Sequence, residues 1–129
     1  MNQAIQTHRA PAPVGPYNQA VSTDGQLVFV SGQIALDPTT SQLVGADDIV
    51  VQTQQVMANL AAVLAAAGTD WSNAVKTTIY LVDLNDFAAV NEIYSTYFDP
   101  AIAPARACVE VSRLPKDARI EIECIAAIA

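Results

Sequence analysis

The stretch Arg119-Ile120-Glu121-Ile122-Glu123-Cys124-Ile125-Ala126-Ala127-Ile128 decides the fold. Ile120, Ile122 and Cys124 fall on one side of an extended chain, and Glu121 and Glu123 on the other. That period of two predicts a strand with one face on a core. Beyond Glu123 the acidic side continues as Ile125 and Ala127, so the second face is mixed. Residues 105–111 repeat the pattern, with Ala107, Val109 and Val111 opposite Arg106, Cys108 and Glu110. A short turn region containing Leu114-Pro115-Lys116-Asp117 joins the two strands.

Upstream, residues 85–98 place Phe87, Val90, Tyr94, Tyr97 and Phe98 on one helical stripe, and Asp99-Pro100 stops the helix. Residues 75–82 are rich in β-branched side chains and predict a strand. A longer helix starts at Asp47 or Asp48, either of which can cap it. Its stripe is Val56, Leu60, Val63, Leu64 and Ala67, with Gln52, Gln55 and Asn59 elsewhere on the wheel. Gly68 follows as the C′ residue. Residues 36–47 read as a loop. Residues 27–30 predict a buried strand ending at Ser31-Gly32, and residues 17–22 a short one, joined through the hairpin signal Asp24-Gly25. Pro11, Pro13 and Pro16 assign the first sixteen residues to a loop. Two helices and five or six strands in mixed order predict an α+β fold, a mixed sheet with both helices packed on one face.

The 129 residues predict a single domain over 1–129. Apolar residues make up 52% but aromatic ones only 6%, and 23 residues are Ala. So much small apolar surface in so short a chain, with the mixed second sheet face, predicts an oligomer that covers this face in part. Mean hydropathy of +0.27 with 15% charged residues excludes disorder. No unbroken apolar run approaches ~18–20 residues, so no membrane span is expected. The start lacks the features of a signal peptide, which predicts a cytoplasmic protein with both cysteines reduced.

The reactive inventory is thin: one His (His8), two Cys (Cys108, Cys124) and two Lys (Lys76, Lys116). No metal is expected, because four zinc ligands would need almost all of the Cys and His at spacings that do not fit. Net charge −7 disfavours a nucleic-acid footprint. Residues 1–105 carry two basic against nine acidic groups, whereas 106–119 carry four basic against two acidic. This local reversal suits either an anionic ligand or a solvated surface. Within it Arg106 stands early in a strand, after Pro104-Ala105, and its guanidinium can take a carboxylate bidentately. Glu121, across the turn, offers an acid or a group that orients water. The plain alternative is a cross-strand Arg106–Glu121 pair worth ~0.2–1 kcal/mol. Cys108 has no fixed His to activate it and reads more simply as a packing residue, as does Cys124.

At these residues the chain resembles a known family. Residues 104–111, Leu114-Pro115-Lys116-Asp117 and Ile120-Glu121-Ile122-Glu123 resemble the signature of the reactive intermediate deaminases (RidA, also called YjgF). Ala10-Pro11 with Gly15-Pro16-Tyr17-Asn18-Gln19-Ala20, then Ser31-Gly32-Gln33, then Asp83-Leu84-Asn85-Asp86-Phe87 with Val90-Asn91, resemble its other motifs in order. The resemblance implies a chorismate-mutase-like (YjgF-like) subunit in a homotrimer, with sites in clefts between subunits and no cofactor or metal. It implies hydrolysis of enamine and imine intermediates such as 2-aminoacrylate, 2-iminopropanoate and 2-iminobutanoate to 2-keto acids and ammonia. By the same resemblance Arg106 grips the substrate carboxylate and Glu121 positions or activates the water. The backbone of Gly32 and Cys108 contacts the imine nitrogen or its water, and Tyr17, Ser31 and Asn91 line or close the pocket. The chain departs from the family between Phe98 and Pro104, where the link is short and carries Ala103, which bears on the pocket rim. The competing readings are a keto-acid-binding regulatory module without turnover and a ribonuclease or translation inhibitor.

Overall fold

The computed structural model describes residues 1–128. Six strands and two helices follow in the order β1 (Gln3–Ile5), β2 (Ala20–Ser22), β3 (Gln26–Gln33), α1 (Ile49–Ala66), β4 (Ala74–Leu81), α2 (Phe87–Ser95), β5 (Ala105–Glu110) and β6 (Ile120–Ile128). The main sheet has the order β3-β6-β4-β5. β6 pairs antiparallel with both β3 and β4, and β5 runs parallel to β4. β1 and β2 form a separate antiparallel ribbon.

The alternation in the last strand works as its sequence dictates. Ile120, Ile122, Cys124 and Ala126 are buried, together with Thr77, Ile79 and Leu81 of β4 and Val30 of β3. Val56, Met57, Leu60 and Leu64 of α1 and Val90 and Tyr94 of α2 complete this core, so both helices lie on one sheet face. The opposite face carries Glu121 beside Tyr80 and Glu123 beside Thr78. It also carries Leu27 and Phe29 of β3, across from Ala127 and Ile125. Phe29 is 71% exposed and Leu27 42%. Exposed apolar side chains on a sheet face are the kind of surface that a partner covers.

Asp48 caps α1, its carboxylate accepting from the N–H groups of Val50 and Val51. At the other end Gly68 adopts φ +83°, the Gly68 N–H bonds to the Ala65 carbonyl and the Thr69 N–H to the Leu64 carbonyl. This left-handed closure is the one the C′ glycine predicts. The buried stripe differs from the expected one. Val63 is partly exposed, and Gln52 and Thr53 are buried instead. Gln52 tolerates this because its whole amide is used. It donates to the Gly45 and Ala46 carbonyls and accepts from the Arg119 N–H.

Several expectations need correction, among them the buried strand at 27–30, since β3 runs on through Ser31-Gly32 and exposes Leu27 and Phe29. The first sixteen residues are not all loop, since Gln3–Ile5, upstream of every proline, pairs with Ala20–Ser22. The strand expected over 17–22 therefore starts only at Ala20, because Asn18 and Gln19 turn their amides to loop carbonyls. Asp24-Gly25 turns the chain but makes no hairpin: β2 and β3 belong to different sheets, and Gly25 lacks the positive φ that a tight hairpin turn needs. The second helix is shorter than 85–98, a 3-10 turn at Leu84–Asp86 leading into Phe87–Ser95. Finally, α1 at 18 residues and mean hydropathy 1.4 is long and apolar enough to cross a membrane by length and composition. Its polar interruptions hide this from a search for unbroken runs. Its place against the sheet is that of a core helix.

Candidate active site

β5 is an edge strand, and its register with β4 sets the direction of its side chains. Arg106 pairs with Thr77 and Cys108 with Ile79, and both partners face the helices. Arg106 therefore points to the helical face. α2 meets it there with Phe87, Asn91 and Tyr94, spaced i, i+4, i+7 on one side of the helix. The guanidinium carbon lies 5.1 Å from the Tyr94 ring centroid, 5.5 Å from that of Phe87 and 5.1 Å from that of Tyr17. Nη1 donates to Asn91 Oδ1 at 2.6 Å. Among the described residues no carboxylate pairs with Arg106, whereas Arg113 pairs with Asp117 and Arg119 with Asp86. Burial lowers the Arg106 pKa, because a desolvated cation is less stable than one in water. Tyr94 is itself fixed, its hydroxyl sharing a 2.7 Å hydrogen bond with Thr77 Oγ1.

Tyr17 reaches Arg106 from the N-terminal loop. Its N–H bonds to the Gly15 carbonyl, and its hydroxyl accepts from the Val14 N–H at 3.2 Å. A Cβ on Gly15 would stand 2.9 Å from Arg106 Nη2, so the glycine lets the loop lie directly on the guanidinium.

Cys108 is half-buried on the same face as Arg106. Burial raises its pKa and the neighbouring Arg106 charge pulls the other way without reversing the shift. The thiol stays protonated at neutral pH, which weakens any nucleophile reading. Cys124 is in the core, its thiol pushed up to about 12 by burial.

Glu121 lies elsewhere. It is on β6, two strands from β5, and on the sheet face away from the helices. The cross-strand Arg106–Glu121 pair is thus excluded, because β4 sits between the two strands and the side chains point to opposite faces. Glu121 packs on Gly32 instead. A Cβ at Gly32 would overlap Glu121 Oε2 and stand 2.8 Å from Cδ. The β3–β6 register shifts between Val30 and Gln33, so Ser31 and Gly32 fall in the irregularity. Both are exposed. Next to Glu121, the Tyr80 hydroxyl donates to the Glu123 carboxylate, and that bond, with burial and both acids, raises the Tyr80 pKa.

The expected site residues thus form two groups. Tyr17, Asn91, Arg106 and Cys108 gather on the helical face, and Gly32 and Glu121 meet on the other, with Ser31 next to Gly32 in the register shift. The sequence reading did not single out Gly15, Thr77, Phe87 or Tyr94 around the guanidinium. The common helical face of Phe87, Asn91 and Tyr94 was the signal that could have found two of them. Chemically, the first group can hold a small anion and the second can orient water.

Residues 7–128 match the family model described as Endoribonuclease L-PSP. The chain is 60% identical over 124 residues to a RutC family protein of Synechocystis sp., covering 96% of this chain and 95% of that protein. It is 48% identical over 126 residues to the 2-iminobutanoate/2-iminopropanoate deaminase of Mus musculus, covering 98% and 91%. Among solved structures, that of E. coli TdcF with bound serine matches with a TM-score of 0.73 at 42% identity, covering 98% of this chain and 99% of that one.

Proposed function

Because the chain belongs to the Endoribonuclease L-PSP family, which also holds the reactive intermediate deaminases and RutC proteins, we propose that it hydrolyses 2-imino acids to 2-keto acids and ammonia. One observation carries the reading: Arg106 is a half-buried cation held by three aromatic rings and one amide, with no acid partner among the described residues. Such a cation bears a desolvation cost that a bound carboxylate offsets. With Nη1 spent on Asn91, the remaining donors of the fork are left to receive that carboxylate.

An imine carbon is already electrophilic, more so when protonated, and a water needs orientation more than strong activation. Glu121 provides this, lying against a glycine whose missing side chain lets the carboxylate approach the backbone. Water adds to the imine carbon as Glu121 takes its proton. From the protonated imine this gives a neutral aminoalcohol; Glu121 returns the proton to its nitrogen, ammonia leaves with the electrons of the broken C–N bond, and the hydroxyl proton passes back to Glu121 as the carbonyl forms. 2-Aminoacrylate enters after tautomerising to 2-iminopropanoate. Since Arg106 and Glu121 occupy opposite faces, a complete site takes Arg106 from one subunit and Glu121 from a neighbour. A homotrimer fits this requirement and the exposed apolar side chains on the sheet face that carries Glu121. The setting is the cytoplasm, where Cys108 and Cys124 stay reduced.

The family description Endoribonuclease L-PSP carries an RNA-cleaving reading. Net charge −7, with only six basic residues in the chain, argues against that reading here. The test generates 2-iminobutanoate in place with a threonine dehydratase and follows 2-ketobutyrate. The purified protein is expected to accelerate its appearance in proportion to protein concentration. Binding of 2-ketobutyrate without acceleration would instead make the chain a regulatory module.

A further inference from the structure

We propose that Asn18 is a positioning residue for the anion site: it latches the loop bearing Gly15 and Tyr17 to the linker that enters the Arg106 strand, and so sets the height of that loop over the guanidinium. The inference rests on the reading of Arg106 as the carboxylate anchor.

Asn18 is 3% exposed, unusual for an amide in an N-terminal loop. Its Nδ2 donates to the Ala103 carbonyl at 2.7 Å and to the Pro100 carbonyl at 3.3 Å. Its backbone N–H reaches the Pro104 carbonyl at 3.4 Å, and Oδ1 accepts from Gln6 Nε2. One end of this latch lies on the guanidinium and the other leads into the strand that carries it. Tyr17 precedes Asn18 and stacks on Arg106, and Pro104 stands two residues before Arg106. Pro100 and Pro104 stiffen the linker side. Ala103, the small residue that sets this linker apart, is buried and leaves its carbonyl within reach.

The loop also has somewhere to go. A cavity of about 100 Å³ lies between loop and linker, lined by Gly15, Tyr17, Phe98, Pro100 and Ala103 among others. The clearance over Arg106 Nη2 is only as wide as a missing Cβ. With the latch cut, the loop shifts towards the cavity or onto the fork, and either movement alters carboxylate binding rather than the bond-making step.

Asn18→Asp keeps the size, removes both donor hydrogens and sets a carboxylate against two carbonyls. KM for 2-iminobutanoate and Kd for 2-ketobutyrate, by calorimetry, are expected to rise together by about tenfold. The kcat is expected to stay within about threefold. Gln19→Ala, which cuts bonds to Thr7 and Pro11 in the exposed outer turn, leaves both constants unchanged. If Asn18→Asp does not fold, Asn18→Ser gives the same pattern in smaller measure. A lower Tm with KM and Kd unchanged would overturn the inference, leaving Asn18 a structural residue. A wild-type protein that binds 2-ketobutyrate without hydrolysing imine would defeat the catalytic reading alone, and Kd would still decide the latch. Neither binding nor turnover in the wild type would defeat both.

Discussion

Arg106→Ala lowers kcat/KM for 2-iminobutanoate by about a hundred- to a thousandfold, a loss of roughly 3–4 kcal/mol in transition-state binding. The magnitude follows from the environment of the guanidinium. It is half-buried, stacked among Tyr17, Phe87 and Tyr94, and without an acid partner among the described residues. A carboxylate bound there meets a partly desolvated charge, worth more than a surface ion pair. Folding gains nothing comparable from Arg106, because burial of the unpaired cation costs stability. The variant therefore keeps its Tm within about 3 °C of wild type, or raises it. Arg106→Lys recovers charge without the planar fork and recovers only part of the activity. Full activity in Arg106→Ala, measured with the dehydratase-coupled assay, would remove the anchor from the account.

Glu121→Gln lowers kcat by about a hundredfold while KM moves far less. The substitution is isosteric, so the fit against Gly32 survives and only the basicity is lost. The partition between the two constants separates this residue from Arg106. On the proposed reading Arg106 holds the substrate before and during the reaction, whereas Glu121 acts on the water. Glu123, two residues on and on the same face, serves as the control, since its carboxylate is engaged by the Tyr80 hydroxyl. Glu123→Gln leaves kcat within about threefold.

Much of the fold was legible because period-two alternation is a local signal. Ile120, Ile122 and Cys124 announce their buried face without reference to any partner strand. The strand order was not legible. β5 and β6 are neighbours along the chain but are parted by β4, and only long-range pairing decides that. The same limit governs the site. The scarcity of cations singled out Arg106, yet its face is known only once Arg106 is registered on Thr77 and Thr77 on Cys124. A turn between two strands suggested that Arg106 and Glu121 meet, and the inserted strand separates them. The strand at Gln3–Ile5 is three residues long, too short to carry a period, and exists through its pairing with Ala20–Ser22. Gln52 looked like a surface residue because nothing in its own helix reveals the three backbone groups waiting for its amide.

The opposed directions of Arg106 and Glu121 make the central claim directly measurable. Arg106→Ala and Glu121→Gln subunits, each expected to be nearly inactive, are co-expressed with different tags, and mixed assemblies of the proposed trimer are isolated by both tags. In a closed ring of three, either mixed composition restores one site with Arg106 from one subunit and Glu121 from its neighbour. The account predicts about one third of wild-type activity per trimer. Mixed trimers as inactive as their parents would contradict it, because both groups would then have to come from a single subunit.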